Sequence, residues 1–107
     1  MDTPETIALH DKIVADVLRN IYDPEIPVNI YDLGLIYELK VEPSGEVRVK
    51  MTLTAPGCPV AGVLMMEVED KIRQVAGVKD VKVELVWEPP WDMSRMSEAA
   101  RLQLGLM

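Results

Sequence analysis

The sequence predicts a small two-layer α/β (α+β) domain of order α-β-β-α-β-α, and three features of its patterning carry that expectation. Two alternating stretches, 35–42 and 46–53, flank Pro43-Ser44-Gly45, the short connection of a hairpin. An apolar repeat of helical period follows over about 59–76. A third alternating stretch comes next, with Val81, Val83, Leu85 and Trp87 set against Lys82, Glu84, Val86 and Glu88. A hairpin joined through a helix to a third strand makes a small three-stranded mixed sheet with helices covering one face. The other face is then exposed or paired, and pairing is one route to a homodimer. At 107 residues, 49% of them apolar, the chain reads as one domain over 1–107, with 89–107 as a C-terminal tail bearing a short helix.

The first helix has its start signals in place. Thr3 or Asp2 can cap it, Pro4 suits the first turn and Glu5 complements the helix dipole. Ile13, Val14, Val17, Leu18 and Ile21 then form one apolar stripe, so the helix is expected to end just before Asp23. In Asp23-Pro24-Glu25-Ile26-Pro27 two prolines forbid regular helix and disfavour an inner strand. This loop carries two carboxylates and large apolar residues, so it is expected to pack over the core. Tyr31-Asp32-Leu33-Gly34 follows as a turn. In the second strand Val47, Val49, Met51 and Leu53 take one side, which puts Thr52 and Thr54 on the polar side with Arg48 and Lys50. The second helix presents Ala61, Leu64, Met65, Val68, Ile72 and Val75, and Gly77 fits the position just past its end. After Glu88-Pro89-Pro90, Asp92 or Ser94 can cap a last helix over about 95–104, closed by Gly105. Its apolar surplus must dock on the domain itself or on a partner.

Composition excludes several function classes. Eighteen acidic against eleven basic residues give a net charge of −7, a field that repels a phosphate backbone. The element order loosely resembles KH domains, but no basic Gly-x-x-Gly loop accompanies it. No apolar run approaches the ~20 residues of a membrane helix, and the acidic start shows no signal peptide. A single cysteine rules out an internal disulfide and a multi-cysteine zinc site, and suits a reducing, cytoplasmic compartment. No phosphate loop or dinucleotide fingerprint is present. His10 has no second ligand beside it and reads as a surface or packing residue, and the methionines read as core filler.

That single cysteine, Cys58, stands in Thr54-Ala55-Pro56-Gly57-Cys58-Pro59, at the junction between the second strand and the second helix. Free backbone N–H groups and the positive end of a helix dipole favour a thiolate there, and Pro59 suits the first helical position. Sulfur is a poor capping atom, so its place in the cap slot points to a use. The alternative is a small, inert apolar plug under a loop. The Asp23/Glu25 loop, Thr52 and Thr54, and Cys58 could meet at one end of the sheet. Carboxylate, hydroxyl and thiolate form a reasonable surrounding for iron or for a reactive thiol, although a nearby carboxylate would oppose the dipole and raise the thiol pKa. Turn capping is the structural alternative for Asp23. One cysteine cannot hold a whole iron–sulfur cluster, so any cluster would be shared across a dimer or completed by a partner or small thiol. A Cys–His nucleophilic pair would need His10, which no motif supports.

Taken together, Asp23-Pro24-Glu25-Ile26-Pro27-Val28-Asn29-Ile30, Asp32-Leu33-Gly34-Leu35-Ile36-Tyr37 and Met51-Thr52-Leu53-Thr54-Ala55-Pro56-Gly57-Cys58-Pro59 resemble the SufT/PaaD-like family of iron–sulfur maturation factors. The likeness covers nearly the whole chain. Its ending, from Trp87 to Ser97, is similar to the bacterial SufT members, and it lacks the extra C-terminal cysteines of PaaD proteins. The resemblance implies an iron–sulfur cluster assembly domain fold and a non-enzymatic accessory role in maturing cytosolic iron–sulfur proteins, with no catalytic residues. It implies a site at Asp23, Glu25, Thr54 and Cys58, with Cys58 as the candidate ligand for iron or a transient iron–sulfur cluster. Relatives often carry a second hydroxyl before the loop proline, where this chain has Ala55. Components of the SUF machinery and apo iron–sulfur proteins are the implied partners, with Trp91 and Arg95 on the expected docking surface of the tail. Packing within the chain is the alternative for Trp91. Two other functions stay open at this point: a protein-binding adaptor with a structural cysteine, and a thiol-dependent enzyme lacking an evident base.

Overall fold

The structure, a computed structural model, describes residues 3–23, 26–54 and 61–105. Helix α1 spans Pro4–Asp16 and opens on a reciprocal cap, in which Thr6 N–H donates to the Thr3 hydroxyl at 3.2 Å and Thr3 N–H to the Thr6 hydroxyl at 2.8 Å. The apolar stripe runs on past Asp16, but the backbone tightens into a 3-10 turn over Leu18–Asn20. Asn20 explains part of the change, since its side-chain amide donates to Asp16 O at 3.0 Å and occupies a carbonyl at the end of the helix.

Strands β1 (Ile36–Val41) and β2 (Glu46–Met51) pair antiparallel, and β3 (Asp80–Leu85) pairs parallel to β2, giving the order β1-β2-β3. Helix α2 (Ala61–Arg73) makes the crossover a parallel pair requires. Val47, Val49 and Met51 of β2 are buried, and so are Ile13, Val14 and Leu18 before the sheet and Leu64, Val68 and Ile72 of α2. All lie in one core, so the helices cover a single face of the sheet. The other face is exposed and lined by charge, with Glu38 and Lys40, Arg48 and Lys50, and Lys82 and Glu84 on the three strands. Met51 and Met96 fill the core as expected of the methionines, Met65 is half-buried, and Met66 and Met93 are exposed.

The tail departs from the single helix expected over 95–104. Asp92 caps only a 3-10 turn, Met93–Arg95, and the chain then extends at Met96. A second cap restarts it: Ser97 accepts from Ala100 N–H at 3.1 Å and opens α3, Glu98–Gln103. The break lets Met96 and Ala100 both reach the core. Ser97 wins over Ser94 because the Ser94 hydroxyl is already spent on Asp92.

Candidate functional site

At the end of the sheet where β1 begins and β2 and β3 finish, backbone hydrogen bonds run on beyond the strands. Ile30 N–H donates to Ile21 O at 2.8 Å, Leu35 N–H to Ile30 O at 3.1 Å and Thr52 N–H to Leu35 O at 2.9 Å. Val86 N–H continues the series to Met51 O at 2.8 Å. Asp23 lies two residues past Ile21 and Thr54 two past Thr52, so the acidic loop and the threonine segment are brought to the same end of the sheet.

Asp23 is 6% exposed. Its Oδ1 accepts from Ile26 N–H at 3.1 Å and its own N–H donates to Val28 O at 3.2 Å, closing the loop across the two prolines. The turn-capping role is therefore real for Asp23, alongside whatever else its carboxylate does. The next turn is built by Asn29, which accepts from Asp32 N–H and donates to Asp32 Oδ2, both at 2.8 Å. Thr54 is half-buried. Glu25 and Cys58, the other two residues of the expected site, lie outside the described residues. Connectivity alone ties Cys58 to within four residues of Thr54 and three of Ala61, the first residue of α2.

Thr52 differs from expectation. Alternation places it on the wet side of β2, yet it is completely buried between the buried Met51 and Leu53. The strand pairing of β2 ends at Met51, and past that point the period of two no longer applies. Its Oγ1 has no hydrogen-bond partner among the described residues. Nothing in the sequence singles this hydroxyl out from that of Thr54.

Trp91 and Arg95 lie together on the tail, against the turn that precedes β1. Trp91 is partly buried against the core, and its indole N–H donates to Leu33 O at 2.7 Å. The Arg95 guanidinium lies over the Tyr37 ring, 4.7 Å from its centroid. Asp92, at the start of that turn, accepts from the hydroxyl and the backbone N–H of Ser94, which together hold its carboxyl below the ordinary value. The His10 ring nitrogen Nδ1 lies 3.4 Å from the carboxylate of its neighbour Asp11. No group of three His, Cys, Asp or Glu among the described residues is placed to hold a metal ion. No helix among them is long and apolar enough to cross a membrane.

Residues 11–85, which contain the sheet, α2, the last residues of α1 and the Asp23 and Thr54 segments, match the family model described as iron–sulfur cluster assembly protein. The chain belongs to that family. The chain is 52% identical to a protein of Porphyromonas gingivalis named Fe-S protein maturation auxiliary factor. That alignment covers 88% of this chain and 90% of the relative. It is 36% identical to the Staphylococcus aureus Fe-S protein maturation auxiliary factor SufT, over 80% of this chain and 98% of that one. The crystal structure of a domain of unknown function from Bacillus anthracis superposes with a TM-score of 0.85 at 35% identity, covering 96% of this chain and 97% of that one. The family and the SufT likeness read from the motifs are borne out, as is the two-layer α+β fold.

Proposed function

We propose that this protein is a non-enzymatic accessory factor in iron–sulfur cluster assembly and in the maturation of iron–sulfur proteins, working in the cytoplasm through the thiol of Cys58. The observation that supports this reading is the hydrogen-bonded series from Ile21 to Thr52, which brings Asp23 and Thr54 to the same end of the sheet. Membership of the iron–sulfur assembly family supports it independently. Asp23, Glu25 and Thr54 supply hard oxygen donors and Cys58 a soft one, a set suited to iron. One thiolate is too few for a cluster, so iron or a transient cluster is cargo, completed by a second copy, a partner or a small thiol. The partners are components of the SUF machinery and apo iron–sulfur proteins.

The test is anaerobic reconstitution of the purified protein with iron and sulfide, comparing wild type with Cys58→Ala by visible absorption and mass. A chromophore held only by wild type supports carriage through Cys58. The same chromophore in both proteins, or in neither, counts against it. A second reading, a protein-binding adaptor, is favoured by the structural use of the Asp23 carboxylate on Ile26 N–H. In that case Cys58→Ala keeps both partner binding and the maturation of client proteins in cells.

A further inference from the structure

The fold fixes Arg95 tightly, and no carboxylate among the described residues forms an ion pair with it. Trp91 Nε1 donates to Leu33 O and Ser97 N–H to Asp32 O, each at 2.7 Å, so the tail is tied down on both sides of Arg95. Between those ties the Arg95 backbone presses on Gly34, where a Cβ would come within 2.2 Å of Arg95 O. The guanidinium is thereby set over Tyr37, itself fixed by its hydroxyl donating to Pro89 O at 2.7 Å. Yet among the described residues Arg95 forms no ion pair, and its buried Nε finds no acceptor. Asp92 acts on it only through space, since Ser94 takes up that carboxylate. An enclosed donor without a partner costs the fold free energy and calls for an explanation.

Beside Arg95 lies a surface cavity of about 440 Å³, lined by Gly34, Ile36, Tyr37, Pro89 and Arg95. Among the described residues of that lining Arg95 is the single charged side chain, set beside the Ile36, Tyr37 and Pro89 side chains and exposed polar groups of the backbone. The exposed side chains of Trp87 and Met93 flank the same stretch of chain. One preorganised guanidinium flanked by an aromatic and an aliphatic side chain matches a single carboxylate on a short peptide. A phosphate group would be met by several cations or backbone N–H donors, which this lining lacks.

We propose that this cavity docks an aspartate or glutamate side chain of a partner polypeptide, received by Arg95 with Tyr37 and Ile36 against the flanking residues. The site uses none of the residues proposed to handle iron, so it stands or falls separately.

The test is nuclear magnetic resonance of the full-length protein, following the Arg95 Nε–H signal, which is assigned by its loss in Arg95→Met. The probes are the peptide acetyl-Ala-Glu-Ala-amide, its Gln counterpart and sodium acetate. The glutamate peptide should shift the signal saturably with a Kd of about 1–10 mM. The Gln peptide and acetate should each bind at least about fivefold more weakly. The cross-peaks of Ile36 and Tyr37 should move with the signal in wild type and stay still in folded Arg95→Met. If Arg95→Met fails to fold, Arg95→Lys, which keeps the charge but not the planar fork, should weaken the response. Equal shifts with both peptides, or an equal response at the exposed Arg48, would overturn the proposal. Acetate matching the peptide would assign the cavity to a small carboxylate and overturn the polypeptide partner. Cys58→Ala should leave the binding unchanged, which keeps this result distinct from that of reconstitution.

Discussion

The Thr52 hydroxyl is enclosed at the end of β2, where its backbone N–H is satisfied and its oxygen has no partner among the described residues. Desolvating a hydroxyl that forms no bond is unfavourable, so Thr52→Val, close in shape, should leave stability unchanged or raise it by about 1–2 kcal/mol. Urea unfolding checks this as a higher midpoint with the same slope. A marked loss of stability would mean that the hydroxyl is bonded in solution. Gly34 is the opposite case. Its φ is +82°, and an added Cβ would run into the Arg95 carbonyl. Gly34→Ala should therefore cost at least about 2 kcal/mol, combining left-handed strain with a displaced tail. The need for a turn at Gly34 was legible from Tyr31-Asp32-Leu33-Gly34. The approach of Arg95, 61 positions on, was not, because a local turn signal carries no record of distant backbone.

Among the elements, the helices show what periodicity reports. The stripe Ile13, Val14, Val17, Leu18 and Ile21 is buried throughout, as expected, although α1 stops at Asp16, a 3-10 turn carries Leu18 and Ile21 is already extended. Spacing records which side chains face the core, and a 3-10 turn can continue the same face for one turn. The tail illustrates competition between caps, because its several Ser and Asp candidates cannot be ranked without knowing which hydroxyl is already bonded. The 3-10 turn after Asp92 has a pH signature. Its carboxyl lies below the ordinary value when folded, so its contribution is present above that value and lost as pH falls through the folded pKa. Below about pH 4 the cap should weaken, with faster exchange at the Ser94 amide. Because Asp92 is exposed the change should stay local, leaving the sheet amides protected.

On the scale of the whole molecule, the tail lies outside the matched span of 11–85 but is integral to the core. Met96 and Ala100 are buried there, and Trp91, Ser97 and Gln103 hydrogen-bond to Leu33, Asp32 and Pro27. Ending the chain after Glu88 should cost about 3–5 kcal/mol, a large part of a small domain's ~5–15 kcal/mol. Circular dichroism should show a much lower melting temperature or a broad, uncooperative transition. A truncated chain that melts like the full-length protein would show that the tail adds nothing to the core.

By itself the sequence determined the element order, the buried stripes, the hairpin, the charged outer sheet face and the family, because each is written in local alternation, helical spacing or contiguous motif. Asp23 and Thr54 were legible as candidates for the same reason, each sitting in a distinctive short run. Only the tertiary structure decided that the Asp23 loop and the Thr52–Thr54 segment share one end of the sheet, that Thr52 is buried, and that the tail is pinned to the turn at Gly34 with Arg95 over Tyr37. Those facts depend on hydrogen bonds and contacts between residues far apart in the chain. Such bonds are set by how the packed layers close on one another, and no periodicity in the sequence encodes that closure.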